Sequence, residues 1–188
     1  DYLRGFGYQG GASRQNWKRD VAELGIGEDL KNALSDPGPW GMGIGAFGEI
    51  LPYHENKILL DKDKKDKWGL PVLNIDAEIK ENEIKMRTDM MADAAEMLEV
   101  AGLKNVKTFD SGYGFGQGIH EMGTARMGRY PKTSVLNANN QVWDCNNVFV
   151  TDGACMTSGS CVNPSLTYMA LTARAVDFAV SELKKGHL

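Results

Sequence analysis

Charge is spread unevenly along this chain, and that distribution constrains how the chain can fold. Residues 1–118 carry 15 basic and 20 acidic side chains, so 35 of 118 are charged, whereas residues 119–188 carry 6 and 5, or 11 of 70. Charged side chains are rarely buried without a partner, so a segment that holds few of them is suited to burial. We expect the last third to be covered by the rest of its fold, by a partner or by a cofactor, and composition does not choose among these.

The overall composition is that of a globular protein. Hydrophobic residues make up 42% and charged residues 24% of the 188 positions, which are ordinary fractions. A net charge of −4 argues against nucleic acid or an anionic membrane surface as the main partner, because those need clustered basic residues. The sequence has no membrane span, since it nowhere has the roughly 18 consecutive apolar residues that a spanning helix needs.

The first residue is Asp1, with no initiating Met and no apolar signal segment. This start predicts an excised piece or a processed product, so localisation is unknown. Signals that direct a protein to the cytoplasm or the periplasm would lie upstream of this chain.

The pattern of apolar residues, glycines and prolines predicts alternating strands and helices over the first 110 residues. In chain order these are a helix from Ser13 towards Leu34, a strand over 40–53, its hairpin partner over 57–60, a strand over 72–79, a helix ending before Gly102 and a short strand over 105–110. Residues 5–11 are too glycine-rich for a regular element, and Pro37-Gly38-Pro39 ends the first helix. The charged run 61–67 is predicted to be a solvent-exposed loop.

The long helix before Gly102 is predicted to be amphipathic, because its apolar residues recur at a period of 3.6. That face consists of Ile84, Met90, Met91, Ala94, Ala95, Leu98 and Ala101. The glycine loop at 111–118 follows. We do not interpret it as a dinucleotide-binding fingerprint, because that motif must open a helix.

The C-terminal third is predicted to hold a turn at Asn146-Asn147, a buried strand at 148–150 and a last helix ending near Leu183. Asn163 is suited to cap that helix and Pro164 to be its first residue. The exposed N–H groups and the helix dipole at such a start favour negative charge. Asn-Pro is also simply a good helix start, so the residue types alone leave the role of Asn163 open.

His120 is the histidine most suited to chemistry. His54 falls in a predicted turn and His187 at the chain terminus, whereas His120 lies in the sparsely charged third, where a partly desolvated imidazole can act as a base. A structural histidine is the alternative on residue type alone.

The three cysteines, Cys145, Cys155 and Cys161, match no zinc pattern, and an odd number leaves one thiol unpaired. We predict buried free thiols and no metal site. A rival hypothesis is a cysteine hydrolase, in which Cys161 or Cys155 acts with His120 and Asn163.

Four sequence blocks in the last third favour a catalytic role for His120 and Asn163 over the alternatives above. They are residues 120–128 (HEMGTARMG), 134–137 (SVLN), 147–154 (NVFVTDGA) and 163–167 (NPSLT). Their order and spacing resemble the C-terminal signature of the glucose-methanol-choline (GMC) flavin oxidoreductases. The segments FGE at 47–49, LP at 51–52 and DKWG at 66–69 look more narrowly like the bacterial sugar and polyol dehydrogenase branch. The resemblance covers nearly the whole chain.

The resemblance implies alcohol oxidation by hydride transfer to the N5 atom of FAD. His120 would accept the hydroxyl proton and Asn163 would hydrogen-bond the same oxygen, because hydride leaves carbon readily only as the hydroxyl becomes alkoxide-like. The cofactor-binding residues that it implies are Asp152, Gly153 and Ala154 near the ribityl chain, and Asn163, Pro164 and Thr167 near the pyrimidine end of the ring. Glu121 and Met122 match the branch without a chemical step, and Arg126 is interpreted as structural.

The resemblance also implies an α+β fold and two domains. Residues 1–118 would form the substrate-binding domain, a mostly antiparallel sheet with flanking helices. Residues 119–188 would hold the catalytic His/Asn segment and a strand-helix segment that completes an FAD-binding α/β domain. The N-terminal FAD-binding domain, which would hold most of the FAD, is absent from this sequence, so the 188 residues alone are expected to be inactive.

The implied partners are a sugar or polyol substrate and the missing N-terminal FAD-binding domain, and the resemblance allows an electron-acceptor subunit as a further partner. The alternative from another class is a non-enzymatic carbohydrate-binding or assembly module that has lost the flavin domain.

Overall fold

The structure is a computed structural model that describes residues 1–15 and 26–188. The chain divides into two compact units, one formed by residues 8–47 and the other by residues 1–7 together with 48–188. Short two-stranded sheets and helices make up the described residues, and this confirms the α+β class. The division at residue 118 stays a prediction.

The unit at 8–47 contains most of strand β1 (Phe6–Arg14), helix α1 (Glu28–Ser35) and most of β2 (Trp40–Gly48), and β1 pairs with β2. The prediction that residues 5–11 are irregular was wrong. A Cβ at Gly10 would lie 2.2 Å from the carbonyl oxygen of Gly43, so the glycine allows two backbones to approach closely. Helix α1 ends at Ser35, before Pro37 as predicted. The predicted helix start at Ser13 was wrong, because Ser13 lies within β1, and residues 16–25 of the predicted helix lie outside the described residues.

Strand β3 (Lys57–Lys65) pairs antiparallel with β4 (Pro71–Asp76). The prediction that β3 pairs with the strand over 40–53 was wrong, and so was the prediction of a loop throughout 61–67. Asp66 explains the difference, because its carboxylate accepts hydrogen bonds from the N–H groups of Trp68 and Leu70, both at 2.9 Å. This turn returns the chain onto β3. Charged residues suit β3 because a two-stranded ribbon leaves most of them in solvent.

Helix α2 (Glu81–Val100) is confirmed, and it buries Met86, Met90 and Glu83. Ile84, which was predicted to lie on the apolar face, is 55% exposed. Residues 105–110 form no strand, because the described chain provides no neighbouring strand for them.

Strands β5 (Gln141–Val142) and β6 (Cys145–Phe149) form a short antiparallel pair, and helix α3 (Ser165–Lys184) ends the chain. The predicted turn at Asn146-Asn147 lies instead at 143–144. The predicted strand at 148–150 corresponds to the end of β6, but the prediction that it is buried was wrong for Val148, which is 42% exposed.

Asn140 lies at the centre of the C-terminal packing and is fully buried. Its side-chain N–H donates to the carbonyl oxygen of Val150 at 2.9 Å, and its side-chain oxygen accepts from the Arg174 guanidinium at 3.1 Å. The two bonds join the end of β6 to α3, and they satisfy a buried amide that would otherwise be costly. Among the described residues no helix is both long and apolar enough to cross a membrane.

Candidate active site

The segment after His120 is joined to the chain after β6 through backbone hydrogen bonds. The N–H groups of Gly123, Ala125 and Met127 donate to the carbonyl oxygens of Gly153, Ala154 and Cys155 at 3.3, 2.9 and 2.8 Å. Gly153–Cys155 is a single turn of 3-10 helix. The Asp152 carboxylate accepts from the N–H of Ala154 at 3.0 Å at the start of this turn, so it caps the turn.

Gly153 is the point of closest approach in this arrangement. It is buried, and a Cβ there would lie 2.8 Å from the carbonyl oxygen of Glu121 and 2.9 Å from the Tyr168 hydroxyl oxygen. Tyr168 belongs to α3 and donates to the sulfur of Met122 at 3.2 Å. Only glycine therefore lets the His120 segment, the turn and α3 meet.

His120 is half-buried, and within the described part of the chain its imidazole makes no hydrogen bond. A methyl group added at Gly159 would lie 3.7 Å from the carbonyl oxygen of His120, so the loop that leads to α3 passes beside this residue. A ring nitrogen without a protein partner can accept a proton from a bound ligand.

The start of α3 leaves its first backbone N–H groups without a side-chain cap. Pro164 is the cap residue and is buried, whereas Asn163 and Thr167 are exposed. The helix begins at Ser165, one residue later than predicted. The N–H groups of the first turn and the helix dipole together favour negative charge at this point.

The structure brings one part of the predicted site together. Asp152, Gly153 and Ala154 lie against the segment that follows His120. Asn163 follows the loop that passes beside His120, and no hydrogen bond joins the side chains of His120 and Asn163 in the described residues. The sequence analysis missed Tyr168, whose only signal was an aromatic residue in the first turns of the last helix.

Cys155 is 1% exposed, and this burial raises the pKa of its thiol. A nucleophilic cysteine needs a lowered pKa, so this environment argues against Cys155 as the nucleophile of a hydrolase. All three cysteines are free thiols. The prediction that they are buried holds for Cys155 and is wrong for Cys145, which is exposed.

Arg126 uses its guanidinium to donate to the carbonyl oxygen of Thr133 at 2.7 Å, a contact that fits the structural role predicted for it. No group of three or more His, Cys, Asp or Glu side chains in residues 1–15 and 26–188 could hold a metal ion.

A shallow cavity of about 330 Å³ is lined by His54, Glu55, Asn56, Lys57, Asp76, Ala77, Glu78 and Lys80. It contains none of the predicted site residues, and most of its lining is charged or polar. It is therefore separate from the candidate site.

Comparisons with known proteins show the family of this chain. A family model described as GMC oxidoreductase matches residues 52–172. The chain is 42% identical over 136 residues to a 2-methyl-1,2-propanediol dehydrogenase from Mycolicibacterium austroafricanum, which covers 70% of this chain and 24% of the relative. It is 27% identical over 181 residues to a fructose dehydrogenase large subunit from Gluconobacter japonicus, which covers 96% of this chain and 33% of the relative.

A third relative is a gluconate 2-dehydrogenase flavoprotein from Pantoea cypripedii, 30% identical over 152 residues, with 78% of this chain and 25% of the relative covered. The chain thus spans a quarter to a third of the length of these relatives. Because the family model matches well over half of its residues, the chain belongs to the GMC oxidoreductase family and corresponds to the C-terminal domain of that family, on the side of the bacterial sugar and polyol dehydrogenases.

Proposed function

We propose that this chain is the C-terminal part of an FAD-dependent oxidoreductase that oxidises an alcohol group of a sugar or polyol, with His120 as the base. One observation carries the proposal. The His120 ring has no partner among the described residues, and it lies on a segment bonded to the Asp152–Ala154 turn. The names of the relatives, which include two sugar or sugar-acid dehydrogenases and a diol dehydrogenase, support a polyhydroxylated substrate.

The start of α3 fits a flavin, because it presents backbone N–H groups without a side-chain cap. Asp152, Gly153, Ala154, Asn163, Pro164 and Thr167 would hold the cofactor. When bound, FAD supplies the acceptor for the two electrons of alcohol oxidation.

The work of this chain is then to position the alcohol and to move a proton. A ring nitrogen of His120 accepts the proton of the substrate hydroxyl. The Asn163 amide donates a hydrogen bond to the same oxygen and stabilises the negative charge that develops there. The N-terminus of α3 favours negative charge on whatever lies beside it.

Helix α3 supports the further proposal that a flavin-binding region covers this segment. Its exposed apolar residues fall on one helical face, namely Leu166, Met169, Val176, Val180 and Leu183 at 78%, 68%, 53%, 43% and 62% exposure. Ala175 and Tyr168 lie on the other side and pack within the described chain. A helix that is apolar on both sides is typical of the interior of a larger fold. We propose that residues 119–188 complete that fold and that these 188 residues alone are inactive.

The test is anaerobic reduction of the flavin by sugars and polyols, followed by absorbance, in the protein that joins this chain to its flavin-binding region. We expect a sugar or polyol to reduce the flavin, and His120→Ala to slow reduction by about 10²- to 10⁴-fold. His54→Ala is the matched control, because His54 is exposed in the turn before β3. No bound flavin in the complete protein would contradict the proposal and favour the carbohydrate-binding or assembly module.

An electron-acceptor subunit, proposed by analogy with the relative named as a large subunit, would be sought by copurification.

A further inference from the structure

Glu49 makes a long-range contact within the larger unit, and the proposed chemistry does not use this contact. It follows the end of β2, and its carboxylate accepts a hydrogen bond from the Ser158 hydroxyl at 2.5 Å, although the two residues are 109 positions apart. Its side chain is only 16% exposed, and the Arg4 guanidinium lies 3.9 Å from the same oxygen. The N–H of Glu49 also donates to the carbonyl oxygen of Gly5 at 3.3 Å. The carboxylate is therefore held in place from two sides.

Ser158 belongs to the loop of residues 156–162, which connects the Gly153–Cys155 turn to Asn163 and α3. This loop has no helix or strand, so its position depends on contacts that it makes with other segments. A Cβ at Gly123 would lie 3.2 Å from the carbonyl oxygen of Thr157, and one at Gly159 would lie 3.0 Å from the terminal methyl of Met122. The loop thus touches the residues directly after His120 on one side and Glu49 on the other.

We infer that Glu49 is a positioning residue that acts through Ser158 to hold the loop at 156–162, and with it Asn163, in register with His120. The inference rests on the proposed function. A hydroxyl that donates to a carboxylate forms a stronger bond than a neutral pair does, so this contact can fix an otherwise irregular loop. Without it the loop retains its contacts near Gly123 but loses its tie to Glu49, and Asn163 shifts relative to His120. A misplacement of about 1 Å costs about 100-fold in rate.

The experiment measures the rate of flavin reduction, kcat and KM for the best sugar substrate in the complete protein. The variants are Glu49→Ala, Ser158→Ala, their double variant and Glu49→Gln, which keeps an oxygen that can accept from Ser158. Ser134→Ala is the matched control, because the Ser134 hydroxyl also donates a hydrogen bond, to the carbonyl oxygen of Tyr130 at 2.9 Å, and lies outside the site.

We expect Glu49→Ala and Ser158→Ala to lower the reduction rate and kcat by about 10- to 100-fold, with KM changed less than about threefold. The double variant should be no slower than either single variant, and Glu49→Gln should restore most of the rate. Flavin content and the rate of flavin reduction are measured in parallel for the wild type and for His120→Ala.

Ser158→Ala that behaves like Ser134→Ala overturns the inference, and so does a rise in KM at unchanged kcat, which would make Glu49 a substrate-binding residue. If Glu49→Ala does not fold, Ser158→Ala and Glu49→Gln decide the matter. If no sugar or polyol reduces the flavin of the wild-type protein, the proposed function itself is overturned. If the wild-type flavin is reduced and Ser158→Ala is reduced at the same rate, only the role of Glu49 is overturned.

Discussion

Helices α2 and α3 are both 20 residues long, but they differ in their charge and in which of their faces are buried. Helix α2 carries eight charged residues and α3 carries four. Helix α2 has one inner face, and a carboxylate, Glu83, is buried on it beside Met86 and Met90. On α3, Ala175 is buried and Tyr168 contacts Met122, whereas a second face of the helix carries exposed apolar side chains. The difference indicates that the outer face of α2 borders solvent, and it supports our proposal that a further region covers α3.

The largest effect is expected when a charge is placed on the exposed face of each helix. Ile84 on α2 and Val176 on α3 are matched, at 55% and 53% exposure. In the complete protein we expect Val176→Lys to lower the free energy of unfolding by about 3 kcal/mol, because it buries an unpaired charge. Ile84→Lys should change it by less than about 0.5 kcal/mol. Urea denaturation measures both, and equal effects would show that the exposed face of α3 is not covered.

A second prediction concerns the buried carboxylate at the start of α2. Glu83 accepts from the N–H of Leu51 at 3.1 Å, from the Tyr53 hydroxyl at 3.2 Å and from the N–H of Lys80 at 3.3 Å. Glu83→Ala leaves these donors without an acceptor and should cost about 2 to 3 kcal/mol of unfolding free energy. Glu81→Ala, at an exposed position whose ion pair with Lys85 is on the surface, is the control and should leave the urea midpoint unchanged. A similar loss in both variants would contradict the anchoring role of Glu83.

A third prediction tests the close contacts beside α3. Gly153→Ala places a methyl group against Glu121 and Tyr168, and we expect a loss of about 1 to 3 kcal/mol from overpacking. Gly114→Ala, where an added Cβ meets nothing within 4 Å, should be close to neutral. Thermal unfolding of the two variants provides the measurement. A stable Gly153→Ala protein would mean that the turn and α3 can separate without cost.

The smallest expected effect is a pH dependence of stability that arises from the buried Cys155 thiol. Burial raises the pKa of the Cys155 thiol, so the folded protein keeps this proton at a pH where the unfolded chain loses it. Stability from this group is complete below the unfolded pKa and falls as the pH rises towards the folded value, by at most about 1.4 kcal/mol per pH unit.

Urea unfolding between pH 8 and pH 10 should therefore show a shallower loss of stability in Cys155→Ala than in the wild type. Cys145→Ala is the matched control, because Cys145 is exposed, and it should retain the wild-type slope. Identical slopes in all three proteins would contradict the assignment of this dependence to Cys155.

The parts of the fold that the sequence predicted are those fixed by local patterning. The period of apolar residues in 81–101 and the Pro-Gly-Pro at 37–39 depend on near neighbours, and α2 and the end of α1 lie where they were expected. Strand partners could not be predicted in the same way. Whether 57–60 pairs with β2 or β4 depends on the turn that Asp66 closes. Ile84 was predicted to be buried because its period was right, although it is 55% exposed.

The site follows the same division. The blocks around His120, Asp152 and Asn163 could be recognised because their residues are close in sequence. The contact of Glu49 with Ser158 joins positions 109 residues apart, and the interaction of Tyr168 with Met122 depends on α3 reaching back to the His120 segment. Neither contact leaves a periodic signal in the sequence.

The three backbone hydrogen bonds from Gly123, Ala125 and Met127 to the Gly153–Cys155 turn have a consequence for how new substrate preferences can evolve. Main-chain groups hold this segment, so its register does not depend on which side chains lie between the bonded positions. Thr124 lies between two bonded positions and is exposed, so it can be exchanged without moving this segment. Selection can therefore vary the surface of the segment that follows the proposed base His120 while the backbone position of that segment is kept.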